Sequence, residues 1–325
     1  MGVNQALATR KLLSAVASLS TGMESGAVLR PSTVGQCPGR LWAQAHGVAE
    51  PEAREEKYSW HAMQGDVFEG LVRDLLRMAG ATVLDPVEPG HRASMGLGEE
   101  KKDPLTGFVP HGDGAILWPD VGIERWSLVE MKNLRAMAAR AMILDGIQAT
   151  ERMYWFQSVT YLKLAWLIVE NNGWRIPTPS ESVLILGPKD PSTVAMFLRQ
   201  AIAQTKYEEK PEEKKSEYER EQTAKKRKWR GRLEELEDPD TFYWETLSLH
   251  DPAVQQTWGE ITKVPGLVKA DEPTFIHDPM LEEGKLDSEC QWYCPVLTWC
   301  RDYHLDQQLK QNLELFDRFP PGDRG

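Results

Sequence analysis

In "WHAMQGDVFEGLVRDLLRMAG" the apolar positions follow a helical period: Val67, Leu71, Leu75 and Met78 fall on one stripe, and Gly80 stands where a helix would end. Upstream, residues 1 to 30 read as an amphipathic helix, and "RPSTVGQCPGRLWAQAHG" gives a Pro/Ser/Gly loop, Cys37, a second Pro-Gly break and a short helical start. From 81 to 130 the period shortens. "ATVLDP", "HGDGAILWP" and "RWSLVEMKNL" are β-rich and bounded by Pro, Gly and Asp, so they read as consecutive strands. "ERMYWFQSVTYLKLAWLIVENNG" is apolar over much of its circumference and stops at Asn-Asn-Gly, the pattern of a largely buried helix. "ESVLILGPKD" is a continuous apolar run of strand length, which suits a central strand covered on both faces. Helix, three strands, helix and strand in that order describe an α/β fold, a sheet with helices packed on it.

Composition narrows this picture. The chain has 325 residues, 41% of them hydrophobic and 27% charged, with 12 Trp, so one large domain with an appended subdomain, or two domains, is expected. No run approaches the length of a membrane-spanning helix, and "TRKLLSAVASLSTGM" is too short and too interrupted by serine to match a signal peptide. A net charge of −11 argues against coating nucleic acid by bulk attraction, yet leaves room for a local basic groove. One candidate lies in residues 206 to 238, a mixed-charge segment of the kind that usually forms a solvated helix or flexible arm. Its core, "KKRKWRGR", sets six basic residues around Trp229, a composition able to grip a phosphate backbone and stack on a base.

The strands carry the candidate chemistry. Residues two apart on a strand face one side, so Glu130 and Lys132 project together while Met131 points into the core. If the strands of "HGDGAI" and "LVEMK" pair through the short connection "LWPDVGIERWS", Asp113 comes beside Glu130. Two carboxylates and a lysine then share a pocket whose hard oxygen donors suit Mg²⁺ or Mn²⁺ and a substrate phosphate. The lysine would orient a water or stabilise the charge that builds on phosphorus, which describes phosphodiester hydrolysis. Glu-x-Lys is common in this chain, at Glu55/Lys57, Glu100/Lys102, Glu208/Lys210, Glu213/Lys215 and Glu283/Lys285, but those pairs lie in polar loops or charged runs. Glu130/Lys132 alone follows an apolar strand and an upstream Gly-Asp strand. Glu69, in "GDVFEG" four residues after Gly65, and Gln157 with Tyr161, spaced i, i+4 on one helical face, fit the same pocket. His111 and His61 read as polar filling rather than ligands.

The cysteines are distributed three and one. Cys290, Cys294 and Cys300 lie in "CQWYCPVLTWC", and Cys37 lies about 250 residues upstream, so a shared centre would close a very long loop and contribute folding free energy. Three close thiolates can bind one face of a soft centre and a distant fourth can complete it, as in a 4Fe-4S cluster, a tetrahedral Cys₄ zinc site, or else two disulfides.

Gly-x-x-x-Glu on a helix, Gly-Asp on a strand, Glu-x-Lys on the next strand and Gln-x-x-x-Tyr on the following helix resemble the PD-(D/E)XK nuclease superfamily in its RecB-like branch. CRISPR-associated RecB-like exonucleases and the AddB nuclease domain also carry one Cys before these motifs and three after them, and the resemblance spans about residues 30 to 170 and returns at 290 to 300. It implies a restriction-endonuclease-like mixed sheet flanked by helices, with the C-terminal segment tied back to the N-terminal region by a 4Fe-4S cluster on Cys37, Cys290, Cys294 and Cys300. It further implies a metal-dependent DNA nuclease, an exonuclease at single strands or DNA ends, with Asp113, Glu130 and the Met131 carbonyl on Mg²⁺ or Mn²⁺, Glu69 assisting, Lys132 positioning water, and Gln157 and Tyr161 steadying the site. The alternative is a non-cleaving DNA-binding subunit of a recombination or repair complex that keeps the fold. Relatives work in the cytoplasm, some as rings or within recombination or CRISPR-adaptation complexes. Glu69 departs from the His of many relatives, Pro110 stands three positions before Asp113, and Cys-x-x-x-Cys is one residue wider than the common spacing. The expected division is an N-terminal helix at 1–30, a nuclease core at 31–205, a charged helical arm at 206–240 and a cysteine-bearing C-terminal segment at 241–325.

Overall fold

A five-stranded mixed sheet organises the larger part of the chain, in a computed structural model that describes residues 30–48, 56–86, 101–205, 216–235, 242–273, 299–300, 302–303, 306–307 and 310. Cys290, Cys294 and, apart from Arg30, the helix expected at residues 1 to 30 lie outside the described residues. The strands are β1 (Thr82–Leu84), β2 (Gly114–Trp118), β3 (Ile123–Leu134), β4 (Glu181–Pro188) and β5 (Tyr243–Ser248), hydrogen-bonded in sequence order. β3 and β4 are parallel and the other neighbours antiparallel. The described helices are α1 (Pro38–Ala45), α2 (Glu56–Met78), α3 (Ala136–Asp145), α4 (Ile147–Thr150), α5 (Arg152–Lys163), α6 (Ala165–Asn171), α7 (Pro191–Thr205), α8 (Glu217–Glu235), α9 (Pro252–Ile261) and α10 (Val264–Lys269). No helix among the described residues is long and apolar enough to cross a membrane.

The strands fall where their β-rich runs predicted them. β2 and β3 are joined through a 3₁₀ turn at Pro119–Val121, closed by Gly122 at φ 86°, a left-handed conformation that suits glycine. The parallel step from β3 to β4 needs a crossover, and α3 to α6 supply it. Alternation along β3 feeds two cores. Val129 and Met131 pack with Ile116, Val183, Ile185 and with Val72 and Leu76 of α2. Leu128, with Ala115, packs against Tyr161, Ala165 and Ile168 on the opposite face. β4 is buried from Ser182 to Gly187 and paired on both sides, as its unbroken apolar run implied.

Other expectations need correcting. The stripe Val67, Leu71, Leu75, Met78 is the outward face of α2, at 66%, 55%, 39% and 83% exposure, while Phe68, Val72 and Leu76 face the sheet. Two apolar stripes lie side by side on this helix, and the sheet selects the one that carries Phe68. A side chain at Gly187 of β4 would meet the Phe68 ring at 2.2 Å, so that glycine makes room for the contact. The single helix expected after the strands is broken at Leu164 into α5 and α6. α3, α4, α7, β5 and α9 occupy positions to which the apolar pattern assigned no element.

The chain divides into two compact units, one of residues 30–35 and 60–261, the other of residues 1–29, 36–59 and 262–325. The sheet belongs to the first, so β5 and α9 lie with the core rather than with the C-terminal segment. In the second unit α1 follows Cys37 directly and packs against α10, and the Trp42 indole N–H donates to the Ala270 carbonyl at 2.7 Å. Trp42 also stacks on Trp299, ring centroids 5.8 Å apart.

Gly114 opens β2 at φ 150°, and a Cβ there would sit 2.7 Å from the Leu84 carbonyl oxygen of β1. Gly114→Ala should therefore lower stability by roughly 1–3 kcal/mol through strain and overpacking, read as a reduced urea midpoint at unchanged slope. A midpoint equal to that of the wild type would contradict this packing.

Candidate active site

The side chains of Glu69, Arg73, Asp113, Glu130, Lys132 and Tyr161 meet where β2, β3, α2 and α5 come together. Glu130 is 1% exposed and its neighbour on the same face, Lys132, forms an ion pair with it. Asp113 immediately precedes β2, and extending the pairing of Gly114 with Val129 sets Asp113 opposite Glu130. Side chains opposite each other in an antiparallel pair share a face, so the two acids lie together. The Asp113 Oδ2 accepts the Met131 backbone N–H at 2.7 Å, which fixes the carboxylate against the main chain of β3.

α2 contributes from the side. Glu69 shares the electrostatic environment of Asp113 and Lys132. Arg73, one turn further on, is 7% exposed and reaches three partners: Nη1 donates to the Asp113 carbonyl at 3.0 Å and lies 3.9 Å from Glu69 Oε2, and Nε lies 3.1 Å from Asp85 Oδ2. α5 supplies the wall. Gln157 Nε2 donates to the Tyr161 hydroxyl at 3.1 Å, both side chains being buried, and the Tyr154 ring lies 5.6 Å from the Lys132 ammonium.

The fields in this pocket are strong. Burial, then Asp113, pushes the Glu130 carboxyl up to about 8, against the lowering effect of Lys132. Burial and Asp113 likewise push Glu69 up to about 7. Burial alone would discharge Lys132, but Glu130 and Asp113 outweigh it and hold the ammonium more firmly protonated than usual. The Tyr161 phenol is pushed up by burial and by the same two carboxylates. Three acids thus face Lys132 and Arg73, so Glu130 and Glu69 suffer from the neighbouring carboxylates while the lysine gains from several.

The donor set has the character of a hard-cation site. Both Glu130 carboxylate oxygens are buried, Lys132 pairs with Oε1, and Oε2 has no hydrogen-bond partner among the described residues. Oε2 is thus a buried acceptor left open toward the pocket, the kind of atom a cation or its water satisfies. No three His, Cys, Asp or Glu side chains among the described residues close into a preformed cage. Two carboxylates with water completing the shell is the arrangement Mg²⁺ commonly accepts.

Every nuclease-motif residue singled out in the sequence (Glu69, Asp113, Glu130, Met131, Lys132, Gln157 and Tyr161) belongs to this region. Arg73 and Tyr154 were missed. Both carried a signal: Arg73 is four residues from Glu69, and Tyr154 is one and two turns from Gln157 and Tyr161 on α5. His111 is exposed. Trp229 does not offer its ring for stacking as expected, because its indole N–H donates to Asp145 Oδ1 at 2.8 Å and Lys225 and Arg140 lie over the ring at 5.0 and 5.6 Å. Of the cysteines, Cys37 and Cys300 are described, both half-buried.

Comparisons with protein-family models, with curated proteins and with solved structures find no match to this chain.

Glu130 and Glu69 hold protons in the folded state at pH values where the unfolded chain, with carboxyls near 4.5, has released them. Stability should accordingly fall as pH rises from about 5 to about 8, and Glu130→Gln should flatten that decline. Urea midpoints of the metal-free protein across this range measure it. A wild-type midpoint that climbs through the window would refute the protonation assignment.

Proposed function

We propose that this chain is a divalent-metal-dependent deoxyribonuclease with a PD-(D/E)XK-type site, hydrolysing phosphodiester bonds at DNA ends or in single strands. The observation that carries the reading is the buried Glu130 carboxylate with an open oxygen, flanked by Asp113 and Lys132 on one face of the sheet. A structural salt bridge has no need of a second and third acid crowded against it, whereas a site that must take up a doubly charged ion does.

Asp113 and Glu130 would hold Mg²⁺ or Mn²⁺, with Glu69 assisting and the Met131 carbonyl as a further ligand. Such an ion neutralises charge on the scissile phosphate and acidifies a bound water. The protein's own groups do the rest. Lys132, held protonated by the acids around it, positions the attacking water and stabilises charge on the phosphate oxygens. Arg73 fixes Asp113 through its carbonyl, and the Gln157–Tyr161 pair steadies the wall beside Lys132. The protons on Glu130 and Glu69 are those that an arriving cation would displace.

For the cysteines the reading is a structural 4Fe-4S cluster on Cys37, Cys290, Cys294 and Cys300. Its support is that Trp299, adjacent to Cys300, stacks on Trp42 of the helix that follows Cys37, so the segments that carry these two cysteines come together. DNA is the expected partner, with recombination or CRISPR-adaptation proteins as its setting.

Glu130→Ala and Lys132→Ala should each reduce Mn²⁺- or Mg²⁺-dependent degradation of end-labelled DNA by about 10²-fold or more with folding retained, and undiminished cleavage would remove both from the mechanism. Protein purified anaerobically should be brown, with absorption near ~400 nm, and Cys37→Ser should lose iron and solubility. A colourless protein that contains zinc would replace the cluster with a Cys₄ site.

A further inference from the structure

The basic run Lys225–Arg232 holds six Lys and Arg and no acid, in a chain whose net charge is −11. A solvated helix needs no fixed partner, yet this stretch of α8 is fastened to the end of α3. The Trp229 indole N–H donates to Asp145 Oδ1 at 2.8 Å, Lys228 Nζ donates to the Asp145 carbonyl at 3.0 Å, and Lys225 Nζ lies 3.8 Å from Asp145 Oδ2. Arg140, one turn back on α3, lies over the Trp229 ring at 5.6 Å. The tryptophan is therefore the anchor of the basic helix.

This docking leaves an open groove of about 470 Å³ between the helices, lined by Asp145, Ala149, Thr150, Ala224, Lys225 and Lys228. Its alanines give a shallow, small-residue floor, and its charge is two cations against one carboxylate already engaged by Trp229. Exposed Arg227 and Arg230 continue the positive surface along α8. α3 begins at Ala136, just past the end of β3, the strand that carries Glu130 and Lys132. A helix of ten residues spans about 15 Å, so the groove at the end of α3 lies within the length of a few nucleotides of the end of β3.

We propose that the α3–α8 surface, fixed by Asp145 and Trp229, binds the sugar–phosphate backbone of the DNA strand whose end enters the carboxylate pocket. The inference rests on the nuclease reading for the identity of the strand. It does not rest on it for the binding of a polyanion. Recognition is by charge and not by base stacking, so it is indifferent to sequence and sensitive to salt.

The test uses the full chain in EDTA and a fluorescent single-stranded oligodeoxynucleotide, with affinity followed by anisotropy across a salt series. Replacing three exposed cations together, Lys225→Gln, Arg227→Gln and Arg230→Gln, should weaken binding at least about 10-fold and lower the log–log salt slope by about 2. A charge-keeping control, Lys225→Arg with Arg227→Lys and Arg230→Lys, should bind like the wild type. Mn²⁺-dependent hydrolysis of bis(p-nitrophenyl) phosphate, too small to reach the groove, should be unchanged in both variants. Wild-type affinity and slope in the neutralised protein would overturn the proposal, as would lost binding in the charge-keeping control or a wild type that binds anionic phosphatidylglycerol vesicles and not DNA. Absence of diester hydrolysis in the wild type would instead strike the nuclease reading, with the anisotropy result still deciding the surface.

Discussion

A carboxylate at the middle of a sheet, 1% exposed, is the constraint around which the pocket is arranged. Removing such an ion from water costs several kcal/mol even after relaxation, and the interior recovers that only through close partners. Glu130 has one, Lys132, and it is insufficient: burial and Asp113 still drive the carboxyl toward its protonated form. A fold selected for stability alone would separate Asp113, Glu130 and Glu69 or give them matching cations. Here the acids are kept together and Arg73 is spent partly on a backbone carbonyl. Local conflict of this kind, retained inside an otherwise consistent core, marks a place where function has set the residues.

The sheet topology makes the convergence possible. The antiparallel β2–β3 hairpin brings the residue before Gly114 opposite Glu130, while the parallel β3–β4 pair requires helices to cross the face on which Glu130 and Lys132 project. α5 is one of those helices, so Tyr154, Gln157 and Tyr161 become the wall of the pocket as a consequence of chain connection. α2 packs on the other face through Phe68, Val72 and Leu76, and Arg73 passes round the edge to Asp113.

The charge distribution of the larger unit suits a polyanionic substrate handled in two steps. The chain as a whole carries net negative charge, whereas the exposed cations of α8 are fastened to the end of α3, where attraction to a polyanion is strong at low salt and screened at high salt. On the proposed reading, a strand held there would be presented to the acids of the pocket. Affinity and chemistry then reside on different elements, joined by the short step from β3 into α3.

The sequence alone determined β1 to β4 and the shared face of Glu130 and Lys132, because period-two alternation and the Gly-Asp and Pro-Gly breaks are local properties of the backbone. It also determined that Gln157 and Tyr161 share a helical face. The tertiary structure decided which of two neighbouring stripes of α2 is buried, since periodicity sets the spacing of apolar residues and leaves open which face another element will cover. It decided that Trp229 is an anchor and that Arg73 and Tyr154 belong to the pocket, because those roles are contacts with residues distant in sequence: Asp145, Asp113 and Lys132. It likewise set the protonation of Glu130, which depends on how much water and how many other charges the assembled fold leaves around one carboxylate.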